Sequence, residues 1–244
     1  MMISPIQPIY LFADSQLLFW SDKGVPFLNS VRSLIQSESP KAAYIGASNA
    51  DNPDYYSIFE AAMDGIRISD CRMIPSRLSS DDESFLNEAD IILLAGGDVE
   101  SGWNTFQENG LNEAIIRRYY EGCLLMGVSA GAVQLGLLGW PENSESAGSL
   151  FFTFKLIPWI ISAHDEDQGW ESLKKAVEFI GENTNGIGIP KGGGLIYHPD
   201  RSIEPIRQVL YEFSIKDQKV ECNLLFPGES RGMDEAMDEA EDIS

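Results

Sequence analysis

Ser129 stands inside Gly127-Val128-Ser129-Ala130-Gly131, directly after the apolar run Cys123-Leu124-Leu125-Met126. A serine hydroxyl presented on a sharp strand-to-helix turn can attack a carbonyl carbon, and glycines on both sides let the backbone bend without collision. Small residues then lead into Val133-Leu135-Leu137-Leu138. Ser129 would therefore head a helix, where free N–H groups and the positive dipole end favour developing negative charge. A hydroxyl is a weak nucleophile and needs an adjacent base, usually histidine. The chain has two. His164 follows the apolar run Leu156-Ile157-Pro158-Trp159-Ile160-Ile161, which places it at or just beyond the C-terminal end of a strand, where sites form in open parallel sheets. His198, in Tyr197-His198-Pro199-Asp200, reads as a surface turn. His164 is the preferred base; His198 as base, or both histidines as structural, are the readings left open. Oxyanion stabilisation needs two N–H groups aimed at one point. Ala130 can supply one. The run Ile91-Ile92-Leu93-Leu94-Ala95-Gly96-Gly97-Asp98, a buried strand ending in a double glycine, can supply the other, because glycine lets the backbone approach a ligand closely.

The elements that must hold these residues alternate along the chain. Strands are expected at Ile9–Ala13, Ala42–Ala47, Ile91–Ala95, Cys123–Val128 and Ile157–Ser162. Helices are expected at about Phe27–Gln36, Tyr55–Met63, Leu111–Tyr120, Ala130–Leu138 and Trp170–Ile180. Leu111, Ile115, Ile116 and Tyr119 form the apolar stripe of a helix packed on a sheet. Continuous apolar strands alternating with such helices predict a parallel sheet covered on both faces. From Gly186 the pattern shifts to shorter strands broken by Gly and Pro: Gly186–Ile189, Gly194–Tyr197, Arg207–Ile215 and Lys219–Leu225. They read as an antiparallel finish to the same domain. The expected organisation is one domain over residues 1–227 and an acidic, disordered tail over 228–244, which holds seven acidic residues and one basic, Arg231.

Composition narrows the function. The 244 residues carry a formal net charge of −21, which argues against nucleic-acid or anionic-membrane binding by general attraction. Cys71, Cys123 and Cys222 are widely spaced with no metal-ligand pattern, as expected of a reducing compartment. No basic residue precedes Lys23, and Asp14 interrupts the N-terminal apolar run, so the segment is a poor signal peptide. No run of 18 apolar residues is present to span a membrane. The expectation is a cytoplasmic protein with no cofactor or metal, acting on a small substrate, with a homodimer left open.

Taken together, Leu93-Leu94-Ala95-Gly96-Gly97-Asp98, Gly127-Val128-Ser129-Ala130-Gly131-Ala132, Lys155-Leu156-Ile157-Pro158-Trp159-Ile160-Ile161 leading to His164, and Gly186-Ile187-Gly188-Ile189-Pro190 resemble the dipeptidase E and cyanophycinase family of serine peptidases. The likeness runs from about Ile9 to Leu225. It implies a three-layer α/β fold of the glutamine-amidotransferase-like (flavodoxin-like) kind, with a mostly parallel sheet, helices on both faces and an antiparallel C-terminal finish. It also implies Ser129 as nucleophile, His164 as general base, N–H groups of Gly97 or Asp98 and of Ala130 as oxyanion donors, and a small peptide or β-aspartyl-type amide as substrate. The family's acid follows the serine, where this chain reads Ser144-Glu145-Ser146-Ala147. Glu145 is the expected third member, with Glu142 in reserve.

Family members commonly carry arginines after the histidine, whereas this chain reads His164-Asp165-Glu166-Asp167-Gln168-Gly169-Trp170-Glu171. Six acidic residues and one basic, Lys155, lie between Glu142 and Glu171, so the expected preference is for cationic over anionic peptides. Two other readings compete. One is a non-catalytic binding protein that keeps the fold; the other is an α/β-hydrolase esterase. Against the latter, His164 follows Ser129 by only 35 residues, little room for that fold's later strands and acid.

Overall fold

The computed structural model describes residues 5–141, 150–182 and 184–228. The chain opens with β1 (Ile9–Phe12), a small hairpin of β2 (Ser21–Asp22) and β3 (Val25–Pro26), and α1 (Asn29–Leu34). A β/α run follows: β4 (Lys41–Ile45), α2 (Pro53–Gly65), β5 (Asp70–Ile74), α3 (Ser80–Glu88) and β6 (Ile91–Leu94). It continues through α4 (Val99–Glu108), α5 (Leu111–Tyr120), β7 (Leu124–Val128) and α6 (Ala130–Leu135). Next come β8 (Leu138–Gly139), β9 (Phe151–Phe152), β10 (Ile160–Ala163) and α7 (Glu171–Ile180). The last strands are β11 (Gly186–Ile189), β12 (Gly194–Tyr197), β13 (Ile203–Ile206), β14 (Leu210–Lys216) and β15 (Lys219–Leu225).

Seven strands form the central sheet in the order β13-β12-β1-β7-β6-β4-β5. The five from β1 to β5 in that order are parallel, and β12 and β13 run antiparallel at one edge. Period-two alternation sorts the strand residues between two cores. Tyr10, Phe12, Tyr44, Leu93 and Met126 pack with Val31 of α1 and Phe59 and Met63 of α2. Ile9, Leu11, Ile45, Leu94 and Leu125 face the other way, against Leu86, Phe106, Ile115 and Ala132 from α3 to α6. The fold is thus α/β, with a mostly parallel sheet flanked by helices on both faces. Among the described residues no helix is long and apolar enough to cross a membrane.

A second sheet, β10-β11-β14-β15, leads to His164. Here β10 and β11 are parallel, with α7 as their crossover, and β14 and β15 close the sheet antiparallel. Ile161, Ile187 and Ile189 join the core under α6, while Ile160 and Phe213 pack beneath Trp170 and Leu173. The expected strand Ile157–Ser162 therefore belongs to this second sheet and starts only at Ile160. Pro158 has no N–H to give to a ladder.

Other differences from the sequence reading have local causes. Helix α6 stops at Leu135 rather than Leu138, because Gly136 turns extended (ψ −157°) where an added Cβ would lie 2.9 Å from the Trp159 carbonyl oxygen. Three further elements carry signals the apolar pattern did not raise. One is β5, an edge strand reading Asp-Cys-Arg-Met-Ile. Another is α3, capped by Ser79 with the reciprocal Asp82 bond. The third is α4, capped by Asp98. The expected tail lies, from residue 229 on, outside the described residues.

Candidate active site

Strand β7 delivers Ser129 from the middle of the central sheet. Val128 sits beside Phe12 of β1, Gly127 beside Leu94 of β6, and the Ser129 N–H donates to the Phe12 carbonyl at 2.9 Å. The backbone turns at once into α6, and Ser129 takes φ 50°, ψ −110°. For an L-residue that conformation costs on the order of 1–3 kcal/mol and persists only where the surroundings enforce it. They do so by close packing. A Cβ on Gly127 would lie 2.6 Å from the Gly131 carbonyl, and one on Gly131 would strike the carbonyl of Leu94.

His164 arrives from the second sheet, one residue past β10. Its N–H extends the ladder to the Ile189 carbonyl at 2.8 Å, and its φ of 48° swings the chain out of the strand. The ring then meets the serine: Ser129 Oγ and His164 Nε2 are 2.7 Å apart. That is hydrogen-bond distance for a hydroxyl and an imidazole nitrogen, the geometry a nucleophile–base pair requires. Burial raises the neighbouring Asp165 carboxyl above its ordinary value, and the His164 ring opposes the rise.

The double-glycine loop packs against the elbow. A Cβ on Gly96 would lie 3.2 Å from Ser129 Cβ. Gly97 has φ 136°, and a Cβ there would strike the Ser48 carbonyl, so this position needs glycine on two counts. The same carbonyl accepts the Asp98 N–H at 2.7 Å, and the Asp98 carboxylate caps α4 through the Ser101 N–H at 2.7 Å. Of the two loop candidates for an oxyanion donor, Asp98 is therefore already engaged. Among the described residues no acceptor takes the N–H of Gly97 or of Ala130. Buried Gln134 of α6 supports the loop from below, donating to Ser48 Oγ (3.1 Å) and to the Val99 carbonyl (3.0 Å).

A cleft of about 310 Å³ opens beside the pair, lined by Ser129, His164, Gly96, Gly97, Tyr44, Tyr55 and Phe59 among others. Asp14 lines it too. The sequence reading used Asp14 only as an argument against a signal peptide, although its place just past β1 puts it at the same sheet end as Ser129. The acidic run after His164 contributes nothing further to the lining. Asp167 pairs with Lys191 at 2.6 Å and Glu171 with Lys174 at 3.3 Å, both exposed.

Glu145 and Glu142 lie outside the described residues. His198 is brought to the opposite end of the sheet. Tyr197 pairs with Ile9, at the start of β1, and the His198 ring meets Glu204 at 3.0 Å. Among the described residues no three His, Cys, Asp or Glu side chains gather to hold a metal ion.

The sequence profile of peptidase family S51 matches residues 18–204, a span that includes the elbow, the double-glycine loop and both histidines. The chain belongs to peptidase family S51. Membership bears out the resemblance to dipeptidase E drawn from the motifs. Within a 121-residue stretch the chain is 30% identical to the uncharacterized peptidase YgaJ of Bacillus subtilis (strain 168), covering 46% of this chain and 48% of that protein. The S51 chain thus spans about half the length of the curated relative it matches. A crystal structure of a peptidase from an acI-B1 Actinobacterium superposes with a TM-score of 0.69 at 17% identity, over 93% of this chain and 97% of the other. At that identity the likeness speaks for the fold.

Proposed function

We propose that the protein is a serine-type hydrolase of short peptides or β-aspartyl-type amides, with Ser129 as nucleophile and His164 as general base. The observation that carries this reading is the 2.7 Å contact between Ser129 Oγ and His164 Nε2 on an elbow held at φ 50°. A buried structural serine has no need of such strain, whereas a nucleophile presented to a cleft does. Family membership supports the same class of chemistry.

In this reading Ser129 Oγ attacks the substrate carbonyl carbon while His164 Nε2 takes the hydroxyl proton. The tetrahedral oxyanion accepts hydrogen bonds from the N–H groups of Gly97 and Ala130, each such donor being worth about 10²–10³ in turnover. Collapse breaks the C–N bond, and the proton held on His164 passes to the departing amine. His164 then takes a proton from water, whose oxygen attacks the acyl-serine; the C–Oγ bond breaks, the acid is freed, and the proton on His164 returns to Ser129 Oγ. Glu145, with Glu142 in reserve, is the proposed acceptor for Nδ1 of His164; among the described residues no carboxylate bonds to that ring.

A fluorophosphonate tests the reading, since it phosphonylates only a serine activated by a base. Stoichiometric labelling that maps to Ser129 and disappears in His164→Ala is the expected result. Absence of labelling in the folded protein would favour the binding-protein reading.

A further inference from the structure

The cleft beside Ser129 is chemically one-sided. Among the described residues, its only ionisable groups apart from His164 are the carboxylate of Asp14 and the phenols of Tyr44 and Tyr55, and no lysine or arginine lines it. Asp14 is held in place without being neutralised. Its Oδ1 accepts the Gln16 N–H at 2.8 Å, and its Oδ2 accepts the Gly192 N–H at 2.8 Å and Gln16 Nε2 at 3.1 Å. All three donors are uncharged, and among the described residues no ion pair involves Asp14. A carboxylate offers about four lone-pair sites, so one stays open. The nearby cations are engaged elsewhere: Lys191 pairs with Asp167 at 2.6 Å, and Arg207 reaches the Gly192 carbonyl at 3.4 Å. Neither lines the cleft.

Aromatic rings complete the setting. Tyr44 and Phe59 pack at a 44° tilt with centroids 5.5 Å apart, both almost fully buried, and Tyr55 is exposed. The Tyr44 hydroxyl accepts from Asn49 Nδ2 at 2.9 Å, which fixes its ring. A carboxylate beside aromatic faces is a receptor for an organic cation, through a charge-assisted hydrogen bond and cation–π attraction. A pocket for a carboxylate would instead offer a guanidinium fork.

We propose that Asp14, with Tyr44, Tyr55 and Phe59, binds a cationic group of the substrate, either a free α-ammonium or a basic side chain, and so selects peptides by charge. This rests on the hydrolase reading of the same cleft for its meaning, but the binding step can be measured without turnover.

The test uses the full chain carrying Ser129→Ala, with and without Asp14→Asn, and calorimetric titration of four ligands. Acetyl-arginine amide offers only a side-chain cation, norleucine amide only an α-ammonium, acetyl-norleucine amide no charge, and acetyl-glutamate amide a negative one. At least one of the two cations should bind about tenfold more tightly than the neutral ligand, and which one does so identifies the source. The glutamate amide should bind most weakly. Asp14→Asn should erase the advantage while leaving the neutral ligand unchanged. Equal affinities across the series in the Asp14-intact protein, or tighter binding of the anion, would overturn the proposal even if the Asn variant failed to fold. Fluorophosphonate labelling of the wild-type chain is scored separately. Labelling without charge discrimination removes the cation site and keeps the hydrolase; discrimination without labelling does the reverse.

Discussion

At the scale of single residues, the proposed mechanism makes Ser129 and His164 one unit. Removing either should cost nearly as much as removing both, because each is useless without its partner. Ser129→Ala, His164→Ala and the double variant should each lose about 10³-fold or more in turnover with folding intact, and His198→Ala should be near neutral. A double variant much worse than either single would break the unit apart. Glu145→Gln should lower turnover if Glu145 orients the ring; an unaffected Glu145→Gln beside an impaired Glu142→Gln would move that role. Ser129 was legible because glycines at Gly127 and Gly131 have a steric meaning that survives in the structure. His164 was legible because only two histidines compete. Asp14 stood at a sheet end the strand pattern predicts, but one bond that fixes its carboxylate comes from Gly192, 178 residues away.

At the scale of elements, the loop between β6 and α4 carries a steric burden that a single methyl should expose. Gly97→Ala would drive its Cβ into the Ser48 carbonyl at a φ of 136°. The N–H of that residue would shift, and the expected loss is about 10²–10³ in turnover. Gly110→Ala is the control: its φ is 69°, but nothing lies within 4 Å of the added methyl. It should cost stability of about 1 kcal/mol and leave turnover unchanged. Equal effects on turnover would mean that the loop is mere scaffolding. Strands β1, β6, β7, β11 and β12 were readable to within a residue because each is an apolar run buried on both faces. In contrast, β5 pairs on one side only and buries one residue. Helix α3 buries only Phe85 and Leu86. Neither shows a long apolar period; the Ser79…Asp82 capping pair was the usable signal for α3.

Over the whole molecule, charge is the dominant long-range term. Thirty-eight acidic against 17 basic residues repel one another in the folded state, and salt relieves this as the screening length falls from about 30 Å at 0.01 M to about 8 Å at 0.15 M. The thermal midpoint should therefore rise over that range of sodium chloride. A flat or falling midpoint would show that the native ion pairs, such as Lys41–Glu88 at 2.5 Å, outweigh the repulsion. The existence of a second large sheet was the least legible property at this scale. Nothing local to Ile160–Ala163 says that it will pair with Ile189 across α7 rather than with the strands before it. Likewise nothing local says that β12 will return to the first sheet beside β1.

That return bears, on the hydrolase reading, on when a nascent chain can become reactive. β1 leaves the ribosome well before β12, one of its two neighbours in the sheet. The His164 backbone waits for Ile189, and the Asp14 carboxylate waits for Gly192. A nascent chain that has already made its serine thus lacks the scaffolding for its histidine until some sixty residues later have emerged, Ser129 to Ile189 in this numbering. On the hydrolase reading, reactivity therefore waits for the pairing of β10 with β11.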